Sequence, residues 1–164
     1  GSSVHLTGAY FEAMAGVTML HVPFKGTSAS LPAVAGGQVD LLFDNLPGAL
    51  AQIKDGNLVR GVAVTSAARD PSLPDLPTVA ESGLPGFDVT AWFALYAPRG
   101  TPEPVVRQLV EAARSGLATP AIATNFATMG ARPGTLFGAD LAAFERQERA
   151  KWGGLIKDKG ITAQ

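Results

Sequence analysis

Apolar and polar positions are most sharply organised between residues 19 and 45. Met19-Leu20-His21-Val22-Pro23-Phe24 is a short apolar run, followed by a polar turn, Lys25-Gly26-Thr27-Ser28. Residues 29–35 are small, with Leu31 and Val34 among them, and Gly36-Gly37 closes the stretch. Val39-Asp40-Leu41-Leu42-Phe43 is a second apolar run, halted by Asp44-Asn45. The pattern predicts strand, helix, strand, with the helix as the crossover that parallel pairing requires. Lys25, Thr27, Ser28, Asp44 and Asn45 then leave the carboxyl ends of adjacent strands, where open parallel sheets bind ligands.

The flanking segments read in the same way. Ser3 is the expected cap of a first helix, with Val4, Leu6, Tyr10, Phe11 and Met14 on a broad apolar face and Gly16 as its stop. Pro47 at an early helical position, after Asn45 or Leu46, opens a short helix that ends near Asp55-Gly56. Residues 59–65 and 89–97 read as strands, the first from β-branched Val62 and Val64, the second from Trp92, Phe93, Leu95 and Tyr96. Between them lies a Pro-punctuated loop, and Thr78-Val79-Ala80-Glu81 has the spacing of a capping box closed by Gly83. From Pro98 helices take over. Thr101-Pro102 starts an amphipathic one with Val105, Val106, Leu109, Val110, Ala113 and Leu117 in a stripe. Thr119-Pro120 starts another, and a last helix over residues 138–157 buries Leu141, Phe144, Trp152, Leu155 and Ile156. Alternation first and helices afterwards give an α/β class.

Composition narrows the function. A chain of 164 residues with 46% hydrophobic content can build a real core. The formal net charge of −1 offers no broad field for nucleic acid or an anionic membrane. Arg146, Arg149, Lys151, Lys157 and Lys159 gather late, as a solvated helix face does. Absence of cysteine removes thiol catalysis, disulfides and Cys-ligated zinc together. No apolar run reaches membrane-spanning length, and no signal peptide opens the sequence. Gly1-Ser2 reads equally as a native start or a cloning scar.

Three places can carry chemistry. At the start of the first helix, Ser2, Ser3 and free N–H groups form an anion site with His5 in the first turn, although ordinary capping by Ser3 explains the same residues. Lys25-Gly26-Thr27-Ser28 lacks the full G-x-x-x-x-G-K-[ST] pattern, so nucleotide binding is not supported; Thr27 or Ser28 serves as a ligand hydroxyl or a helix cap. Asn45 reads as a cap before Pro47. Asp44 ends an apolar strand, where its carboxylate can hold a ligand ammonium, bridge through water, or pair with Lys25. His5 and His21 are the only two histidines, and His21 is expected in the core. No G-x-S-x-G elbow, no H-E-x-x-H spacing and no nucleophile–base–orienter set assembles. Binding without catalysis, cofactor or metal is the reading that fits.

The motifs resemble one family closely: the periplasmic solute-binding receptors of tripartite tricarboxylate transporters, the Bug receptors. Ser3-Val4-His5-Leu6, Phe11-Glu12-Ala13-Met14-Ala15-Gly16, His21-Val22-Pro23-Phe24-Lys25-Gly26 and Gly37-Gln38-Val39-Asp40 carry the likeness first. Phe43-Asp44-Asn45-Leu46-Pro47, Ala63-Val64-Thr65-Ser66 and Leu76-Pro77-Thr78-Val79-Ala80-Glu81-Ser82-Gly83 follow in family order. Trp92-Phe93, Ala97-Pro98-Arg99-Gly100-Thr101-Pro102 and Glu148-Arg149-Ala150-Lys151-Trp152 complete it. Thr135-Leu136 departs from the Thr-Pro usual there. The resemblance implies a type II periplasmic-binding-protein fold, two lobes of parallel-rich sheet flanked by helices, closing on a solute by hinge motion. It covers about the C-terminal half of such a receptor. Residues 1–89 then correspond to the second lobe, and residues 90–164 to a crossover strand and C-terminal helices returning to the first.

The same likeness implies a small organic carboxylate as ligand, whether a di- or tricarboxylate, an aromatic acid or an amino acid. Ser2, Ser3, His5, Thr27, Asp44 and Asn45 are its expected contacts. It implies the membrane components of a tripartite transporter as partners, no nucleic acid, a periplasmic location and a signal peptide upstream. With one lobe alone, weak ligand affinity and self-association through uncovered apolar surface are expected. A ligand-sensing regulatory domain of the same fold class is the alternative, and an α/β enzyme using His5 and Asp44 a third.

Overall fold

The computed structural model describes residues 2–162. Contacts divide the chain into two compact units, the first running to Ala91 and including the residues from Leu155 onward, the second Trp92–Gly154.

In the first unit, α1 (Ser3–Ala15) is capped by Ser2 rather than by the expected Ser3, and it stops where Gly16 enters the left-handed region at φ 66°. Only glycine takes that turn without strain, which is why the stop was readable. α2 (Thr27–Ala35) begins after Gly26, so neither Thr27 nor Ser28 is its N-cap. α3 (Leu46–Asp55) follows Asn45 at the N-cap position, and Gly56 at φ 70° ends it. The expected capping box forms reciprocally: Glu81 N–H donates to Thr78 Oγ1 at 3.0 Å, and Thr78 N–H donates to a Glu81 carboxylate oxygen at 2.7 Å. Arg69 braces the same carboxylate at 2.9 Å. Those two partners, the backbone bond first, hold the Glu81 carboxyl below its ordinary range.

The sheet is where expectation and structure part. Among the described residues the only β pairing is one isolated parallel bridge, Val64 with Thr78. Val64 N–H donates to Pro77 O and Val79 N–H to Val64 O, both at 2.9 Å, and Val89 N–H donates to Thr65 O at 2.8 Å. Residues 19–24 and 39–43 form no ladder. A strand, unlike a helix, cannot close its own hydrogen bonds and exists only against a neighbour. Apolar runs without one stay open: Leu20 is 90% exposed.

The packed centre of the first unit gathers around the bridge. Thr78, Val79, Phe87 and Val89 are buried, with Ala9 of α1, Ala33 of α2 and Ala49 and Leu50 of α3. Phe87 meets Tyr10 and Phe11 of α1 at ring separations of 5.2 and 6.3 Å. Phe11 in turn meets Phe43 at 5.6 Å, and Gly8 lets that ring approach α1 to 3.4 Å from where a Cβ would stand. One aromatic chain thus carries α1 onto the segment that ends in Asp44.

The second unit holds α4 (Glu103–Leu117), α5 (Pro120–Thr128) and α6 (Ala139–Asp158) as far as Gly154. Pro102, not Thr101, takes the cap position of α4; the Thr101 hydroxyl donates instead to Pro98 O at 2.8 Å. No described residue of α4, α5 or α6 is buried, so Leu141, Phe144, Trp152, Leu155 and Ile156 are half-buried at most. Trp92 stacks edge-on against Phe144, and the Arg114 guanidinium lies 4.3 Å over the Phe137 ring.

Candidate functional site

The expected site residues all fall in the first unit and form two groups. Asp44, Thr27 and Asn45 make the first. Thr27 is the opening residue of α2, and its hydroxyl donates to Asp44 Oδ1 at 2.9 Å. The Asn45 N–H donates to the same oxygen at 2.8 Å. Asp44 therefore lies at the N-terminal ends of α2 and α3 together, where unpaired N–H groups and the helix dipoles favour negative charge. Asp44 takes up Thr27 and not Lys25, whose pairing with it is not among the ion pairs of the described residues. The Asn45 side chain makes no capping bond, so Asp44 does the work foreseen for Asn45.

The other oxygen of Asp44 is different. Oδ2 is buried and accepts no hydrogen bond from any described residue. A buried carboxylate oxygen without a donor carries an uncompensated desolvation cost of about 1–3 kcal/mol. Its partner oxygen is fully engaged, so the group cannot turn to relieve it. Gly48 explains why the cluster is so close-packed. A Cβ there would stand 3.0 Å from Thr27 Cγ2 and 3.1 Å from Thr27 Oγ1, so the first turns of α2 and α3 touch through a bare backbone.

The second group is the start of α1. Ser2 Oγ accepts the His5 N–H at 3.5 Å, a weak cap, and both Ser2 and Ser3 are exposed. His21 is not a core residue; it is exposed and stacks on His5 with ring centroids 4.0 Å apart and planes 22° from parallel. Burial first and His21 second push the His5 pKa below 6.5. Two imidazoles so close disfavour simultaneous protonation. Thr7 turns its hydroxyl to Ser3 O at 2.9 Å inside the helix. The two groups share a wall, because Gly8, one turn into α1, lies against the ring of Phe43 that precedes Asp44. Sequence reasoning missed Gly48 and the His21 stack, since both depend on residues distant along the chain.

No cluster of three or more His, Cys, Asp or Glu side chains placed to hold a metal occurs among the described residues. Nor is any described helix long and apolar enough to cross a membrane.

A helix-edged polar cleft wall of this kind is found in solute-binding proteins, and comparison with solved structures agrees. The chain superposes on an R. palustris protein solved with adipate at a TM-score of 0.88, with 36% identity over 99% of this chain and 54% of that one. The periplasmic binding protein BugD gives 0.79 with 36% identity over 99% and 55%. MatC from Rhodopseudomonas palustris with bound malate gives 0.81 with 34% identity over 94% and 53%. The backbone therefore follows the periplasmic-binding-protein fold although its sheet ladders are not formed.

Residues 1–161 match the model of the tripartite tricarboxylate transporter family receptor, and the chain belongs to that family. Its members are receptors and not enzymes. A Pseudomonas sp. protein of the tcbD-tcbE intergenic region is 36% identical over 99% of this chain and 48% of its own length. BugT of Bordetella pertussis is 32% identical over 98% and 49%. The chain spans about half the length of these relatives.

Proposed function

We propose that this chain supplies one wall of a periplasmic receptor for a small organic carboxylate, presented to the membrane components of a tripartite transporter. Residues 1–89 act as the second lobe, and residues 90–164 as the segment that returns to the first. The ligand carboxylate takes hydrogen bonds from the N–H groups and hydroxyls at Ser2, Ser3 and His5, the charge-assisted class that is strongest. Asp44 Oδ2 accepts from the ligand's own donor, a hydroxyl or ammonium, or from a bridging water. Thr27 and Asn45 hold Asp44 rather than touching solute. Solute binding then shifts an open–closed equilibrium, and the closed form is what the membrane partners engage.

The observation that carries this reading is the buried, unbonded Asp44 Oδ2 on a fold shared with proteins solved with adipate and malate. With one wall alone, affinity is weak. Amide-resolved NMR of the 164-residue chain with malate and with adipate at millimolar levels is the test. Saturable shifts at Ser3, His5 and Asn45 are expected, with those at Asn45 lost in Asp44→Asn. Shifts confined to other residues, or micromolar affinity unaffected by Asp44→Asn, would overturn the assignment.

A further inference from the structure

The segment after Val89 is built to be paired, and nothing in its own unit pairs it. Residues 91–97 make no backbone hydrogen bond to any described residue. Side chains alternate along it. Trp92 and Tyr96 turn to α6, where the indole N–H donates to Glu148 at 3.2 Å and the phenol to Glu145 at 2.6 Å. Ala94 between them is half-buried, while Phe93 and Leu95 on the opposite side are 90% and 81% exposed. Period-two exposure with one face on a helix is the geometry of a strand in a sheet. Both edges of this one are bare. Charges, lysines and prolines are how natural edges avoid pairing, and from Thr90 to Ala97 the sequence has none.

The geometry points to a second copy of this chain as the occupant, joined through antiparallel pairing of residues 92–96 about a two-fold axis at Ala94. The sequence Trp92-Phe93-Ala94-Leu95-Tyr96 is self-complementary in that register. Trp92 faces the partner copy's Tyr96, Phe93 faces Leu95, and the smallest side chain lies at the axis, where an isologous contact brings a residue onto itself. Area sets the strength. Aromatic side chains bury roughly 150–250 Å² each, so the open parts of Trp92, Phe93, Leu95 and Tyr96 amount to about 450 Å² per copy. Two copies give about 900 Å², below the roughly 1,200 Å² at which stable interfaces begin. The pairing is therefore reversible and concentration-dependent. It concerns this segment alone and stands whether or not the carboxylate reading does.

The absence of cysteine makes the register directly testable. Opposed residues in an antiparallel pair have Cα atoms about 4.5–5.5 Å apart, inside the disulfide range of about 4.4–6.8 Å. Six residues of offset, as for Ala97 against its own copy, place them about 20 Å apart. In the full chain, oxidised Ala94→Cys is expected to give at least fivefold more covalent dimer than Ala97→Cys. Sedimentation velocity should show the 16.9 kDa species moving towards twice that mass as concentration rises to about 200 µM. Phe93→Lys, at a fully open position, should weaken association at least tenfold with unchanged circular dichroism. A monomer throughout that range overturns the proposal. So does a dimer with equal A94C and A97C cross-linking. A monomer that instead takes up the half of a longer relative to which this chain does not align would assign the edge to that polypeptide and refute self-pairing.

Discussion

The two units use the same kinds of residue to opposite ends. The first places Phe87, Val79 and Leu50 inside, against aromatic and small partners, and leaves a carboxylate oxygen buried among helix starts. The second has four aromatics and an amphipathic α4, yet its helices bury no described residue, and Phe93 and Leu95 stand open. Apolar content did not decide which became a core. What decided it was closure: the first unit brings α1, α2, α3 and the Val64–Thr78 bridge around one centre. The second has a helix-backed strand and two helices with no opposing layer. A domain needs two layers to bury one face of each.

The sharpest way to break that contrast is to remove a ring from each side. Phe87→Ala should cost about 3–5 kcal/mol, since Phe87 is 1% exposed and holds α1 through Tyr10 and Phe11. Phe93→Ala should fall within about 0.5 kcal/mol. Urea unfolding of the two variants measures both; a comparable loss at Phe93 would mean that the second unit has a core after all.

Next comes the contact that seats Asp44. Gly48→Ala gains helix propensity of about 1 kcal/mol but drives a Cβ to 3.0 Å from Thr27, which cannot rotate away without releasing Asp44. Overpacking of about 1–3 kcal/mol should prevail, leaving a net loss of about 1 kcal/mol. Adding Thr27→Ser, which deletes the crowding methyl and keeps the hydroxyl, should restore most of it. Thermal melts of the single and double variants decide the point.

The smallest effects come from pH, and they separate the units by direction. The His5 pKa is lowered from 6.5 in the folded chain, so the unfolded chain takes its proton first as pH falls. The first unit keeps its full stability above 6.5 and loses some as pH drops towards the folded value. Glu81 adds to this at lower pH, its contribution being complete above about 4.5 and lost through its depressed folded value. The Tyr96 pKa is raised from 10.0, first by its bond to Glu145, so that contact is complete below 10 and lost as pH rises through the folded value. Melting followed at acidic and alkaline pH should show His5→Gln flattening only the acid side and Tyr96→Phe only the alkaline side.

Much of the helical frame was legible because its signals are local. Gly16 and Gly56 ended helices at the positions where positive φ is needed, and the Thr78–Glu81 box formed as its spacing foretold. Ser2 displaced Ser3 as cap by one residue, and Pro102 displaced Thr101, the usual fraying of a boundary. The strands were not legible in the same sense. Residues 19–24 and 89–97 have strand composition, but pairing is a property of two segments and cannot be read from one. His21 shows the same limit: apolar neighbours suggested a buried ring, and its place was set by His5 sixteen positions earlier along the chain. At the site, Asp44 was legible as an acid ending an apolar run. Its bonding was not, because Thr27 and Gly48 reach it only once α2 and α3 are packed.

Glu148 receives two indoles. The Nε1–H of Trp92 and of Trp152 both donate to its Oε2, at 3.2 and 2.9 Å, and these are the only two tryptophans in the chain. Both lie in the second unit. Intrinsic tryptophan emission is therefore a one-sided witness. It will record the loosening of α6 from Trp92 and remain silent while Phe87 leaves its place, so a single fluorescence midpoint would describe half of this molecule.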